Sequence, residues 1–351
     1  MSSSSETSDS EDEYSCSESD CELIQFAWPG LRIPDTRFKL FGNYAEFHVH
    51  SAILKMHSAF FRKFLDSPDK KCPAPSAPFR YEWISKYEGN GKWCLVSVGS
   101  DLSNNKPISE RRATEYTRDL KSLLSAFYQR EYGLASFKDF ERLVELADYY
   151  CALPTLSYSL TNALARRPVF VRFWAMHNCA RSLELAVQLR NPTIFKEVMI
   201  LAMNPWDNPR YANPAYGGKP LGQYDSKIQL AIMKAFKSWT NRITMVEQEL
   251  LRMGARATWY PEVVKKILDD FWKDNDKRKD IPLPTYFRAI SKALVERGDK
   301  SLAKPYIDVL FTNDLKFSSS FFRDPDFDTS FQDLCIDDKE DYPWDSEQID
   351  W

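Results

Sequence analysis

The spacing of apolar and polar residues changes along the chain, from alternation near residue 45 to a helical period beyond residue 117. Residues 45–50 alternate apolar and polar side chains, which predicts a half-buried β-strand. Residues 38–41 form a second short strand, and the intervening Gly42 and Asn43 are a turn signal. The two strands therefore predict a β-hairpin.

Two short helices and another strand are predicted next. Residues 51–56 favour a helix whose N-cap is Ser51 or His50, and Ser58 then caps a helix over residues 59–65. Residues 66–80 are rich in Pro, Lys and Asp and predict a loop, whereas residues 93–98 predict a strand after a glycine-rich turn.

From residue 117 the apolar stripes predict helices only. Three stripes lie before residue 165, and Pro154 suits the first turn of the third helix. The longest later helix, 225–253, has Asp225 or Ser226 as its cap and Gly254 at the position after its end. The remaining predicted helices are 168–178, 179–190, 191–203, 260–274, 284–297 and 300–312, with a long loop or hinge at 204–224.

Charge is distributed unevenly, although the net charge is only -3. Residues 1–22 carry 8 acidic and no basic side chains, and residues 323–351 carry 11 acidic and 2 basic ones. The intervening body holds 31 acidic and 45 basic residues. Such composition predicts disordered acidic tails around a folded basic body. The tails either interact with or shield the body, or they serve solubility only.

Cysteine usage and the terminus predict an intracellular protein of the cytoplasm or the nucleus. The 7 cysteines are scattered without a Cys-x-x-Cys pair, as expected of reduced thiols. The acidic, serine-rich N-terminus is unlike a signal peptide, and no apolar run approaches the roughly 18 residues that a membrane helix needs.

An ordered set of motifs in residues 35–165 resembles the BTB/POZ family, in particular its fungal members. The hairpin leads into Val49-His50, Leu54, Ser58 and Phe61, which match the family's extended Val-His, helix-ending Leu and Ser-x-x-Phe pattern. A Tyr-Glu-Trp strand region and Gly91-Lys92-Trp93-Cys94-Leu95 follow, and residues 143–150 are similar to the family's Leu-Leu-x-x-Ala-Asp-x-Tyr helix. The resemblance implies self-association, cullin-3 ubiquitin ligase recruitment or binding of other regulators.

Two positions depart from the family's patterns. The hydrophobic-x-Glu motif of cullin-binding members is replaced by Asp69-Lys70-Lys71. Dimeric members pair an Asp before the first strand with a basic residue after the strand-end His. Asp35 suits the first role, but Ser51 occupies the basic position.

The sequence contains no recognised motif for catalysis or for cofactor binding. His48 and His50, together with His57, suggest a metal site, but no third ligand has useful spacing, so we expect no metal and no cofactor. Phosphate loops, nucleophile elbows and His-Glu-x-x-His are absent from the sequence. Lys and Arg occur in short doublets and triplets along amphipathic helices, which disfavours a nucleic-acid interface.

These patterns together predict an α+β chain and a non-catalytic function in protein–protein interaction. We expect an acidic tail at 1–24, a BTB/POZ domain with a small sheet at 25–165, an all-α domain at 166–315 and a largely disordered acidic tail at 316–351. The expected partners are proteins, a homodimer or cullin-3 among them, with no membrane. Nucleic-acid-associated regulation and an enzyme in the helical half are the alternatives. The predicted contact residues lie on the two short helices, with a place in the core as the alternative for each, and they are Ile53, Met56, Phe60 and Phe64.

Overall fold

A mixed α+β architecture is seen in the computed structural model of the chain. The structure describes residues 21–31, 33–67, 77–166, 174–205, 208–273, 281–298, 303–311, 315–317, 336 and 342–348. The chain divides into two units, one up to Lys121 and one from Ser122 onward. The predicted tail over residues 1–20 lies outside the described residues.

A five-stranded sheet with the order β1-β3-β2-β4-β5 organises the first unit. The strands are β1 (Glu22–Gln25), β2 (Thr36–Leu40), β3 (Ala45–Val49), β4 (Tyr81–Gly89) and β5 (Lys92–Ser97). The predicted hairpin is confirmed, because β2 and β3 pair antiparallel with Phe38 opposite Phe47. β1 begins at Glu22, inside the range predicted as tail, and pairs parallel with β3.

The helices of the first unit are α1 (Ser51–His57), α2 (Ala59–Phe64) and the start of α3 (Glu110–Phe127), within which the division between the units falls. Apolar residues of β2, β3 and α2 form the core. Phe38 and Phe61 are fully buried, with ring centroids 5.7 Å apart. The period-two pattern therefore places one face of the hairpin inward, as predicted.

A second aromatic cluster closes the β5 side of this unit. Trp93 contacts Phe41 at 5.4 Å and Tyr116 at 5.9 Å between ring centroids. The Tyr116 hydroxyl donates to the Gly91 carbonyl in the β4–β5 turn. That turn needs left-handed backbone at Gly91, with φ +81°, which glycine adopts without strain.

The second unit is helical apart from its connections. Its helices are α4 (Phe137–Tyr149), α5 (Leu153–Ala165), α6 (Cys179–Gln188), α7 (Pro192–Met203), α8 (Ser226–Arg256), α9 (Tyr260–Lys273), α10 (Leu283–Glu296) and α11 (Ala303–Val309). Of the predicted helix 168–178, residues 174–178 are described, and residues 174–177 of them are helical.

Helices α4 and α5 belong to this second unit, so the division does not coincide with the predicted boundary after residue 165. The reason is visible in their contacts with later residues. Phe140 of α4 meets the fully buried Trp174 edge-on at 4.2 Å. Arg181 of α6 donates to Glu141 of α4 at 2.8 Å.

Helix α8 confirms its predicted start and corrects its predicted end. The Asp225 side chain accepts a hydrogen bond from the Lys227 backbone, as an N-cap does. Gly254 was expected to lie beyond the helix, but α8 continues to Arg256. A side chain at Gly254 would approach the ring of Tyr260 to 3.2 Å, so the glycine allows this close packing rather than ending the helix.

The predicted hinge at 204–224 is an ordered connection over its described residues. Three short 3-10 turns lie at Arg210–Ala212, Pro214–Tyr216 and Leu221–Gln223. The buried Arg210 guanidinium donates to the carbonyls of Leu201 and Asn204 at 3.2 Å and 2.8 Å. These bonds satisfy the end of α7 and fix the connection to it.

The predicted largely disordered tail at 316–351 is not confirmed, and the structure describes only residues 316–317, 336 and 342–348 of it. Phe317 and Ile336 are buried, and residues 342–348 lie against α7. Acidic composition favours a solvated chain, but the described apolar side chains Phe317, Ile336 and Trp344 pack on the helical unit.

Candidate functional site

The two short helices α1 and α2 carry the predicted contact residues. α1 follows β3 directly, and its N-cap His50 makes no side-chain capping bond. The Asp35 carboxylate replaces that cap, because it accepts from the Ser51 backbone nitrogen at 2.6 Å and from the Ser51 hydroxyl at 2.5 Å. Ser58 caps α2 as predicted, accepting from the Phe61 nitrogen at 3.2 Å.

The structure separates the four predicted contact residues into inner and outer positions. Ile53 is buried, with 1% exposure, so it supports the helices from within and is not available to a partner. Met56 is 62% exposed and Phe64 is 38% exposed. Phe60 is half-buried. The outer set, which we call the α1–α2 surface, is therefore Met56, Phe60 and Phe64.

Phe60 anchors this surface to the core. Its ring lies 4.7 Å from Phe64, 5.4 Å from Phe61 and 6.1 Å from Trp83, measured between centroids. The Phe60–Phe61 pair is edge-on, a favoured geometry for aromatic rings. Because Phe61 and Trp83 are buried, the exposed Phe64 ring rests on a chain of contacts that reaches the interior.

A polar network borders the α1–α2 surface. The Asp66 carboxylate accepts from the Lys55 ammonium and from the Tyr81 hydroxyl, each at 2.5 Å. Hydrogen bonds from Lys55 and Tyr81 hold the pKa of Asp66 below its usual value. Since Lys55 lies on α1, Asp66 just after α2 and Tyr81 on β4, the network fixes both helices relative to the sheet.

Basic groups lie beside the exposed apolar ones. The Arg62 guanidinium donates to the Lys55 carbonyl at 3.1 Å, and the Lys63 ammonium lies 5.3 Å from the centre of the Phe64 ring. Exposed apolar side chains with a charged rim are the composition of a protein contact surface. Sequence reasoning missed Asp66 and Tyr81, whose pairing joins residues 15 positions apart that no local pattern links.

His48 and His50, for which no third metal ligand has useful spacing in the sequence, lie in different surroundings. His48 on β3 lies with its Nε2 2.6 Å from Glu46 Oε1. His50 is buried at the start of α1, where burial lowers its pKa. Within the described residues, no group of three or more His, Cys, Asp or Glu side chains is arranged to hold a metal ion.

Two further findings concern the Cys179 thiol and the character of the helices. Burial raises the pKa of the Cys179 thiol to about 12, which keeps the thiol protonated and unreactive at neutral pH. None of the helices in the described part of the chain has the length and apolarity that crossing a membrane requires.

Comparisons of the chain with protein-family models, with curated proteins and with solved structures found no match.

Proposed function

We propose that this chain is a non-catalytic protein-interaction protein with a BTB/POZ-type N-terminal domain, acting by self-association or as an adaptor. The observation that carries the proposal is the exposure of two apolar side chains, Met56 and Phe64, on α1 and α2, where the Phe64 ring packs on Phe60. A monomer gains nothing from presenting these side chains to water, whereas a partner would remove their apolar area from solvent.

The family part of the proposal is supported by the packing of the motif residues. Val49, Leu54 and Phe61 are all fully buried in the first unit, and Ser58 caps the helix that carries Phe61. Each residue of the sequence pattern therefore has a physical reason to be where it is. The order of hairpin, two short helices, second strand pair and long helix also agrees with the resemblance.

The Asp35–Ser51 contact bears on how such a domain would associate. Asp35 and Ser51 occupy the two positions that dimeric family members fill with an acid and a base, and here they meet in a hydrogen-bonded pair. With Ser51 as the second member, Asp35 caps α1 instead of forming an ion pair. We therefore assign association to the apolar α1–α2 surface rather than to a charged pair.

Light scattering coupled to size exclusion tests self-association. At tens of micromolar we expect the chain to form dimers, and we expect the double variant M56E/F64E to be monomeric because it places charges in an apolar interface. V98E is the matched control, since Val98 is 53% exposed on the loop after β5. A monomeric wild type, or a dimer that M56E/F64E leaves intact, contradicts self-association through this surface.

Binding to the N-terminal domain of cullin-3 tests the adaptor form of the proposal. An immobilised cullin domain that retains the wild-type chain and V98E but not M56E/F64E supports adaptor function through the α1–α2 surface. If all three proteins are retained alike, or none is retained, cullin recruitment through this surface is wrong.

A further inference from the structure

A short stretch near residue 351 lies against α7 of the helical unit. The C-terminal segment, residues 342–348, places Tyr342 and Trp344 in a parallel stack with centroids 4.9 Å apart and an interplanar angle of 3°. Both rings meet Phe195 edge-on, at 6.1 Å and 5.3 Å. Phe195 is almost completely buried in this arrangement. Stacked and edge-on aromatic pairs of this geometry stabilise the contact beyond the burial of apolar area.

The C-terminal segment has no helix or strand of its own, so side chains hold its position. Arg190, just before α7, donates from its guanidinium to the Gln348 side-chain oxygen at 2.8 Å. Ile336 is buried and lines a small cavity with Phe195 and Met199. The described contacts are made by side chains of an irregular segment, as they are in a bound peptide.

Charge favours the same contact. Residues 336–351 contain seven acidic side chains and one basic side chain. Two basic side chains of the helical unit lie beside these residues, because Arg190 donates to Gln348 and Lys234 lines the small cavity together with Ile336. Long-range attraction between an acidic peptide and a basic surface speeds encounter and weakens as salt is added.

We propose that the α7 surface around Phe195 is a peptide-binding site for acidic segments that carry two aromatic rings one residue apart. Residues 342–348 occupy this site as an intramolecular ligand. A partner protein with a peptide of the same chemistry competes with them for Phe195. Because a tethered ligand acts at a high effective concentration, the segment occupies the site until a peptide of higher affinity displaces it.

Fluorescence anisotropy with a labelled peptide of residues 336–351 tests the proposal on the full chain. The variant Y342A/W344A removes the two rings that contact Phe195, so the chain's own segment no longer occupies the site and the site becomes accessible to the peptide. We expect this variant to bind the peptide at least about tenfold more tightly than the wild type. Added salt should weaken that binding. Y158A is the matched control, since Tyr158 is 82% exposed on α5, and it should behave as the wild type.

Three results would overturn the proposal. Equal peptide affinity in all three proteins shows that the segment does not compete for the site. If a peptide without the two aromatic rings binds Y342A/W344A as tightly as the peptide of residues 336–351 does, the rings are not what the site recognises. Loss of the folded state in Y342A/W344A, seen by circular dichroism, shows that the segment is an integral part of the fold and not a ligand of it.

Discussion

The Asp35 carboxylate holds the first residue of α1 through two hydrogen bonds, at 2.6 Å to the Ser51 nitrogen and at 2.5 Å to the Ser51 hydroxyl. The Asp35 carbonyl also accepts from the nitrogens of Arg80 and Tyr81 at the start of β4. Asp35, just before β2, is therefore hydrogen-bonded to the start of α1 and to the start of β4. These bonds fix the position of α1, which carries part of the α1–α2 surface.

Replacing Asp35 with alanine should destabilise the first unit. The change leaves the Ser51 nitrogen and hydroxyl without their acceptor, which costs about 2 kcal/mol in free energy of unfolding. Urea unfolding gives the size of the effect, and hydrogen exchange should show faster exchange in α1.

Asp101→Ala is the matched control for this experiment. Asp101 makes the same kind of paired contact, to the nitrogen and hydroxyl of Ser103, but in an exposed loop. We expect D101A to cost less than about 0.5 kcal/mol. Equal losses in D35A and D101A would mean that Asp35 does not anchor α1.

His57, at the end of α1, should make stability depend on pH. Burial lowers the pKa of His57 below its ordinary value of 6.5. The unfolded chain therefore takes up a proton near pH 6.5 that the folded chain takes up only at lower pH, so stability falls as pH drops from 6.5. The urea midpoint should decrease between pH 7.5 and pH 5, and less so in H57Q. A midpoint shift of equal size in H57Q would contradict this account.

Arg210 should be essential for the order of the connection between α7 and α8. R210A removes the donors to the Leu201 and Asn204 carbonyls and leaves them buried, so we expect a loss of about 2–3 kcal/mol in free energy of unfolding. R252A is the control, because Arg252 is exposed on α8 and pairs with Glu249 at the surface. Its loss should stay below about 1 kcal/mol. Similar losses of unfolding free energy in both variants would show that the buried hydrogen bonds of Arg210 stabilise the chain no more than a surface ion pair does.

Local patterns predicted those elements whose buried faces are apolar. The β2–β3 hairpin is of this kind, since Phe38 and Phe47 alternate with polar residues. The alternation of apolar and polar residues did not predict β4, because the buried positions of this strand include Ser85 and Tyr87, while Ile84 lies on the other face. The strand was indicated only through the family resemblance.

The sequence predicted the contact residues on α1 and α2 only in part, because short helices give a weak apolar period. A seven-residue helix such as α1 has too few turns for the period alone to tell Ile53, which is buried, from Met56, which is exposed. The contact of Trp344 with Phe195 joins residues about 150 positions apart, and the acidic composition around Trp344 favours solvation. Only the folded chain brings such pairs together.

The most direct test of the proposed function places a photo-crosslinking amino acid at position 56 of the full chain in cells. The account predicts an ultraviolet-dependent covalent adduct with a specific protein, either a second copy of the chain or another polypeptide, identified by mass spectrometry. The same amino acid at position 98 should give no such adduct. Identical adduct patterns at positions 56 and 98, or no adduct at either, would contradict the claim that the α1–α2 surface binds a partner.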